Sequence, residues 1–280
     1  MPSIALLYDH PRWEEKAILQ ALKDIGADAK LLHVETTPLR IGEPCCPIDL
    51  ALERSVSFSN AVATAFAVES WGVRVLNPGT VIYLAGDKVA TLSLLASHRV
   101  PVPETTVLSG SNRINGSLPP GPPWVVKPVI GSWGRMVARA RDLEELEQLL
   151  SYKEAARGLY SRIHLVQEYI EKPGRDIRVF TLGDRVVAAI YRVSSHWITN
   201  TSRGARAEPA PVTGEIEDLA LRAAEALGGG FLGVDLLEDP ERGLLVNEVN
   251  AVPEFKNTVR VTGVRVHMEV ARYAVEEARR

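Results

Sequence analysis

The sequence predicts an open α/β domain followed by a larger α+β region, and three observations support this fold class. Up to about residue 84, short apolar strands alternate with helices, a pattern typical of a parallel sheet with crossover connections. In the last third, strands follow one another without that alternation, which favours antiparallel pairing. The 280 residues suffice for two or three small domains. We therefore expect three units, at residues 1–84, 85–170 and 171–280.

Composition excludes several classes of protein. A formal net charge of −3, without any basic block, does not suggest a nucleic-acid partner. No apolar run approaches the roughly 20 residues of a membrane span, and the first residues lack the features of a signal peptide, so we expect a cytoplasmic protein. Cys45 and Cys46 are adjacent, a poor spacing for a metal, and are interpreted as loop thiols with an intersubunit disulfide as the alternative.

The first unit contains four predicted strands and two predicted helices. The strands are expected at residues 4–8, 30–34, 49–53 and 73–76, and the helices at residues 13–25 and 59–71, each ended by glycine. No glycine-rich dinucleotide fingerprint follows the first strand. This unit is therefore expected to help to hold a substrate or another subunit.

The second unit combines helices with strands that carry few charges. A helix is expected from Asp87 and Lys88 to His98, and a shorter one over residues 142–150. A strand over residues 124–129 has Lys127 as its single charge, and a glycine-containing turn follows at residues 131–136. A further strand is expected at residues 164–170.

The third unit is predicted to be rich in hairpins. Strands at residues 176–180 and 186–192 are joined by a turn at residues 183–184. A helix over residues 214–227 precedes two strands at residues 231–237 and 244–250, and both of these strands carry acidic residues.

Those two strands supply a candidate metal site. Because side chains alternate along a strand, Glu248 and Asn250 are expected on one face and Asn247 on the other. Asp235 lies in the middle of the preceding apolar strand, where a carboxylate is costly to bury without a cation or donor. Asp235, Glu248 and Asn250 would form an all-oxygen ligand set suited to Mg²⁺. The alternative is two strands whose acids lie at exposed ends.

Several further residues could bind a nucleotide triphosphate. Lys88 and Lys127 can supply charge to the phosphates, although each alone could be a surface lysine, and Gly131 and Gly134 allow backbone amides to approach closely. Residues 168–170 can present strand-edge groups to adenine, and Asp176 could bind the ribose hydroxyls. An arginine such as Arg178, Arg192 or Arg203 could stabilise charge on a transferring phosphoryl group. The chain has no P-loop motif.

Taken in order, these motifs resemble the ATP-grasp ligases. The resemblance covers nearly the whole chain and implies a pre-ATP-grasp α/β domain followed by two α+β subdomains that enclose ATP. Within this fold the sequence is most similar to LysX-type ligases, relatives of the ligase that adds glutamate to a ribosomal protein. The segments that carry this similarity are residues 127–135, 166–180, 196–201 and 254–258.

The resemblance implies an ATP-dependent carboxylate–amine ligase of lysine biosynthesis. The γ-carboxylate of the C-terminal glutamate of a small acidic carrier protein, LysW, would be phosphorylated by ATP, and the α-amino group of 2-aminoadipate would attack the acyl phosphate. The resemblance also implies two Mg²⁺ ions, a homotetramer and particular residue roles. Mg²⁺ is assigned to Asp235, Glu248 and Asn250; ATP to Lys88, Lys127, Gly131, Ser132, Trp133, Gly134, Arg135, Gln167, Glu168, Tyr169, Ile170, Asp176 and Arg178; and catalysis and substrate binding to Arg192 and Asn200, with Asn257 and Thr258 at the substrate.

The choice of substrates stays open at this point. Asn257 and Thr258 resemble the pair that accompanies aminoadipate in this family, but glutamate is only one methylene shorter, worth about 1 kcal/mol in an apolar pocket. A dual-specificity or glutamate-using LysW ligase of arginine biosynthesis is therefore the first alternative. Pro253, which stiffens the loop after Asn250, is a departure near the substrate site. A ligase that adds glutamate to a protein tail is the second alternative, and a non-catalytic ATP-binding module is the third.

Overall fold

The computed structural model describes residues 1–110, 118–155, 160–199 and 204–280. Its N-terminal part is a parallel sheet in the order β2-β1-β3-β4, with helices between the strands, as predicted. The elements are β1 (Ser3–Tyr8), α1 (Trp13–Asp24), β2 (Asp28–His33), β3 (Leu50–Glu53), α2 (Phe58–Glu69), β4 (Arg74–Leu76) and α3 (Gly79–Gly86). The sequence analysis missed α3, because its eight residues are apolar almost throughout and have no amphipathic period.

A second sheet, in the order β5-β8-β6-β7, is antiparallel throughout. Its region contains α4 (Lys88–Ser97), β5 (Thr105–Ser109), β6 (Trp124–Lys127), β7 (Ala138–Ala140), α5 (Leu143–Ala155) and β8 (Ile163–Glu168). Asp87 caps α4, since its carboxylate accepts hydrogen bonds from the amides of Val89 and Ala90. The cap fixes the start of the helix that carries Lys88.

The third sheet, in the order β11-β10-β9-β12-β13, is also antiparallel, which confirms the predicted change from α/β to α+β. The elements are β9 (Arg175–Leu182), β10 (Arg185–Val193), β11 (Arg206–Pro209), α6 (Gly214–Leu227), β12 (Phe231–Asp239), β13 (Gly243–Asn250), α7 (Lys256–Thr262) and α8 (Val266–Glu277). None of the helices in the described part of the chain is long and apolar enough to cross a membrane.

A β-bulge in β13 changes one expectation from the sequence. Asp235 is paired with Glu248, but the next residue, Leu236, is paired with Val246, so Asn247 is an extra residue on its strand. The strict alternation that placed Asn247 on the face opposite Glu248 is therefore wrong. Both side chains line the same cavity.

Three polar side chains of the N-terminal part hold the segment that follows β13, and we call them the interdomain latch: Glu14, Arg54 and Asn77. The Asn77 side chain donates to the carbonyl oxygens of Phe231 and Ala251 at 2.7 and 2.6 Å and accepts from the Phe231 amide at 2.7 Å. Arg54 donates to the carbonyl oxygen of Pro253 at 2.9 Å. Glu14 accepts from the amides of residues 255 and 256, at 3.0 and 2.9 Å. The latch fixes the chain between Asn250 and α7.

Candidate active site

A ladder of charged side chains crosses one face of the third sheet. Arg192 on β10 is the register partner of Asp176 on β9, Arg178 on β9 is the partner of Asp235 on β12, and Asp235 is the partner of Glu248 on β13. Directly opposed residues on neighbouring strands lie close enough for ion pairing. The sheet register therefore brings together residues that are up to 72 positions apart in the sequence.

The ion pairs in this ladder are bidentate and buried. The guanidinium of Arg192 donates to the two carboxylate oxygens of Asp176 at 2.6 and 2.8 Å, and that of Arg178 donates to the two of Asp235 at 2.7 Å each. Arg192 also donates to Asp235 at 2.9 Å. Planar guanidinium groups suit this two-point contact with carboxylates.

The arginines control the charge of Asp235. Burial alone would raise the pKa of this carboxyl, but Arg178 and Arg192 lower it to about 2. Burial alone would lower the pKa of Arg192, but Asp235 and Asp176 raise it above its usual value. Asp235 and Arg192 are thus both charged at neutral pH.

The predicted metal ligands lie together and fit Mg²⁺ in their donor chemistry. The side-chain amide of Asn250 lies 3.3 Å from a carboxylate oxygen of Glu248, which is the register partner of Asp235. No cluster of three or more His, Cys, Asp or Glu side chains occurs in the described ranges, and this set offers two carboxylates and one amide oxygen. Few protein carboxylates, with water and phosphate completing the shell, are typical of Mg²⁺ bound with a nucleotide.

Lys127 faces this ladder from the second sheet. Its ammonium donates to Gln167 at 2.5 Å and to Asn247 at 2.7 Å, so it crosses the space between the two sheets. Burial lowers the pKa of Lys127 to about 8, although Glu248 raises it, and Lys88 and Lys172 lower it further. A buried ammonium without a direct carboxylate partner is suited to a polyphosphate ligand.

The pKa of Lys127 predicts a pH dependence for nucleotide use. Because kcat/KM reports ionisation in the free enzyme, kcat/KM for ATP should fall above about pH 8, approaching tenfold per pH unit, as the ammonium loses its proton. Lys127→Arg keeps the positive charge at all accessible pH values and should remove this break. A profile that stays flat to pH 9.5 in the wild-type protein would contradict the assignment of Lys127 to the phosphates.

The glycine-containing turn lies between two cavities. Ser132 and Gly131 line both, and the Lys88 ammonium donates to the carbonyl oxygen of Gly131 at 2.6 Å. Trp133 lines one cavity, whereas Gly134 and Arg135 line the other, and Arg135 stacks on the Trp133 ring at 4.6 Å. Gly131 (φ 158°) and Gly134 (φ 65°) adopt backbone conformations that L side chains rarely take. The turn can therefore follow a ligand closely.

The cavity behind this turn, which we call the nucleotide cavity, has a volume of about 770 Å³ and lies between the second and third sheets. Most of the predicted ATP residues line it: Lys88, Lys127, Gly131, Ser132, Gly134, Arg135, Gln167, Glu168, Tyr169, Ile170 and Asp176. The Glu168 carboxylate accepts from the Glu104 amide at 2.6 Å and pairs with Arg242 at 2.8 Å. These contacts leave backbone groups of residues 168–170 to meet a base.

Two predicted ATP residues differ in their surroundings. Both oxygens of Asp176 already accept from Arg192, and Thr199 donates to one of them, so Asp176 orients Arg192 in this structure. Arg178 does not line the nucleotide cavity; it lines two adjoining cavities of about 1110 and 690 Å³. We call these the N-domain cavity and the α7 cavity, respectively.

The predicted substrate residues Asn257 and Thr258 line the α7 cavity, with Arg12, Arg178 and Arg192. Thr258 is fully buried, and its hydroxyl has no hydrogen-bond partner among the described residues. An orphaned hydroxyl at a cavity wall indicates a missing polar ligand. Asn200, predicted near the acyl phosphate, lies outside the described residues.

The sequence analysis missed several residues at the site. Lys172 lines the nucleotide cavity, donates to Thr199 at 2.6 Å and lies 3.6 Å from Asp176. Asn247 was placed on the wrong face, and Arg12, 166 residues before Arg178, shares two cavities with it. The lone charge of Lys172 beside Pro173 carried no local pattern, and the position of Arg12 depends on contacts between distant segments.

A cavity held between two antiparallel α+β sheets, with a lysine on one sheet and acids and arginines on the other, defines an ATP-grasp protein. A family model described as the RimK-like ATP-grasp domain matches residues 85–274, and one described as the LysX preATP-grasp domain matches residues 4–84. The chain belongs to the RimK-like ATP-grasp family and is an ATP-using carboxylate–amine ligase.

Known proteins similar to this chain agree with that placement. The alpha-aminoadipate–LysW ligase LysX of Sulfolobus acidocaldarius is 43% identical over 91% of this chain and 95% of its own length. The glutamate–LysW ligase ArgX of Sulfurisphaera tokodaii is 32% identical over 98% of both chains. The crystal structure of a RimK domain ATP-grasp protein from Sphaerobacter thermophilus has a TM-score of 0.79 and 26% identity, and covers 98% of this chain and 99% of that one.

Proposed function

We propose that this protein joins the α-amino group of 2-aminoadipate to the γ-carboxylate of the C-terminal glutamate of the carrier protein LysW, with ATP converted to ADP and phosphate. The observation that carries this proposal is the position of Arg192, which lines the nucleotide cavity, the N-domain cavity and the α7 cavity. A ligase of this type needs one point where a phosphoryl group, a carboxylate and an amine meet. Identity to LysX proteins supports the choice of substrates.

The chemistry follows in two steps. A carboxylate oxygen of the carrier attacks the γ-phosphorus of ATP, the bond from phosphorus to the bridging oxygen breaks, and ADP leaves. The amine then attacks the acyl carbon, phosphate leaves, and the amine loses a proton as the amide forms. Since a carboxylate is a poor electrophile, the acyl phosphate supplies the leaving group. The protein contributes position and charge neutralisation.

The residues divide among these tasks. Lys88, Lys127 and the turn at 131–135 hold the phosphates, Arg192 neutralises charge on the transferring phosphoryl group, and Asp176 orients Arg192. Two Mg²⁺ ions, held by Asp235, Glu248 and Asn250, would screen the charge between the phosphates. Arg12 and Arg178, which line the N-domain and α7 cavities on either side of Arg192, supply positive charge to the carboxylates of both substrates.

The α7 cavity is assigned to 2-aminoadipate. Its wall carries the unpartnered Thr258 hydroxyl and the Asn257 side chain, and the resemblance to LysX-type ligases links this pair to aminoadipate. The N-domain cavity is assigned to the carrier's terminal glutamate. Its walls include the apolar side chains of Phe58, Ala61 and Ile82, which suit the methylene groups of an extended tail.

Thr258→Val tests the amino-acid cavity. The substitution keeps the shape of the side chain and removes the hydroxyl, so KM for 2-aminoadipate should rise about fivefold to tenfold, the value of one hydrogen bond. KM for ATP and for the carrier should not change, because Thr258 lines neither of the cavities assigned to them. Steady-state ADP release with each substrate varied in turn measures this. An equal rise in all three KM values would contradict the assignment.

The function itself is tested by a coupled ADP-release assay with ATP, Mg²⁺ and LysW, comparing 2-aminoadipate with glutamate. ADP release should require both the carrier and an amine, and aminoadipate should give the larger kcat/KM. The same ADP release without the carrier would overturn the proposal. Comparable rates with both amines would establish the second candidate, a dual-specificity ligase, which the 32% identity to ArgX favours. ADP release only with a protein tail and glutamate would indicate a protein-modifying ligase.

The proposal also covers the setting of the reaction. We place the enzyme in the cytoplasm as a homotetramer, on the resemblance to LysX-type ligases. The three units at residues 1–84, 85–170 and 171–280 are proposed as the pre-ATP-grasp domain and the two ATP-grasp subdomains. Sedimentation at micromolar concentration tests the tetramer, and a monomer under these conditions would exclude it.

A further inference from the structure

Three side chains form an aromatic clasp at one end of the nucleotide cavity: Arg139, Tyr169 and Trp197. The guanidinium carbon of Arg139 lies 5.1 Å from the centre of the Tyr169 ring and 5.7 Å from that of the Trp197 ring. The two rings are 6.1 Å apart and meet edge to face at 66°. These distances lie within the range of favourable cation–π and aromatic contacts.

The clasp joins the two sheets that enclose the nucleotide cavity. Arg139 belongs to β7, the edge strand of the second sheet, and Tyr169 directly follows β8 of that sheet. Trp197 lies in the segment after β10, which belongs to the third sheet. The contact between Arg139 and Trp197 therefore crosses from one wall of the cavity to the other.

The clasp lies at the end of the cavity away from the charged ladder. Tyr169 and Trp197 line the cavity, together with the apolar side chains of Val125, Val137, Ile170, Ile198 and Leu237. Apolar and aromatic surfaces suit the faces of a purine, whereas Lys127, Asp235 and Glu248 mark the phosphate end. Arg139 does not line the cavity and can act only through the two rings.

Arg139 is held by the rings alone. In the part of the chain that the structure describes, it forms no ion pair, and its side chain is exposed. The nearby Arg141, by contrast, pairs with Glu145 on the outside of the protein. The cation of Arg139 thus has no role in the described structure other than the clasp.

We propose that the aromatic clasp closes the base end of the nucleotide cavity and sets how tightly ATP and ADP are held, with Arg139 as the positioning residue. This inference rests on the proposed binding of ATP in that cavity. Trp197 and Tyr169 contact the nucleotide, and Arg139 keeps the segment after β10 against β7. Release of ADP requires the contact between Arg139 and Trp197 to break.

The experiment measures nucleotide binding to the full-length protein by calorimetry and by tryptophan fluorescence. ATP and ADP should change the fluorescence of the wild-type protein and of Trp133→Phe, but the change should be lost in Trp197→Phe. Arg139→Gln should raise Kd for both nucleotides about threefold to tenfold, the worth of exposed cation–π contacts, and should accelerate ADP dissociation. The value of kcat at saturating ATP should not fall. Arg139→Lys, which keeps the charge, should restore part of the affinity.

Arg141→Gln is the matched control, because it removes an arginine two residues away that faces solvent, and its Kd values should equal those of the wild-type protein. If the wild-type protein binds no nucleotide, the proposed function fails and the clasp fails with it. If it binds ATP but Arg139→Gln binds equally well, or if Trp197→Phe keeps the full fluorescence change, the clasp alone is overturned. An equal loss of kcat and affinity in Arg139→Gln would indicate a general structural role and would also overturn it.

Discussion

Replacing Glu248 with glutamine should lower kcat/KM for ATP about a thousandfold while leaving the fold intact. The side chain keeps its size, but one of the two carboxylates at the proposed Mg²⁺ site loses its charge, and such a metal contributes several kcal/mol at a phosphoryl group. Nucleotide binding gives a second measurement. Mg²⁺ should tighten ATP binding to the wild-type protein much more than to Glu248→Gln.

Glu241→Gln provides the comparison for this variant. Glu241 lies in the exposed turn between β12 and β13, the two strands that carry the metal residues, and its carboxylate lines none of the three cavities. Its activity should match that of the wild-type protein. If Glu248→Gln retained near-normal turnover and the normal Mg²⁺ dependence, Glu248 would not be a metal ligand.

Arg192→Met should both destabilise the protein and abolish ligation. Asp176 and Asp235 would remain buried without their shared partner, which costs roughly 3–5 kcal/mol of unfolding free energy. An arginine at a transferring phosphoryl group contributes about a thousandfold or more to kcat. Urea unfolding and ADP release measure the two effects. Arg185→Met, on the same strand but paired with Glu269 at the surface, should change neither by much.

A double variant separates stability from catalysis. Adding Asp176→Asn to Arg192→Met removes one of the two unpaired buried charges and should recover part of the lost unfolding free energy. It should not recover ADP release, because the amide supplies no positive charge to the phosphoryl group. Recovery of activity together with stability would show that Arg192 acts only by maintaining the fold.

Much of the site could be predicted because single charges interrupt apolar strands. Lys127 in one strand and Asp235 in another are costly to bury unless they meet a ligand or a partner, and both lie at the nucleotide cavity. The change from parallel to antiparallel pairing was also readable, because crossover helices separate the strands in the first part only. These signals are local, and each lies within one or two elements.

The rest depends on contacts that no local pattern encodes. The bulge at Asn247 breaks strict alternation, and the sequence around it contains no glycine that would have indicated it. Arg12 and Trp197 reach the cavities only through the packing of distant elements. The pairing of Asp176 with Arg192 follows from strand register, which a sequence of this type fixes only when the whole sheet is assembled.

The interdomain latch has a consequence for how such enzymes can diverge. Glu14, Arg54 and Asn77 grip main-chain groups of a segment more than 150 residues later, so the N-terminal sheet supports the wall of the amino-acid cavity. A chimera that takes its first 84 residues from a glutamate-using relative would inherit a different grip on that wall. New amine specificity in this lineage therefore requires paired changes in both halves of the gene, and shuffling of the N-terminal half as an independent cassette should be selected against.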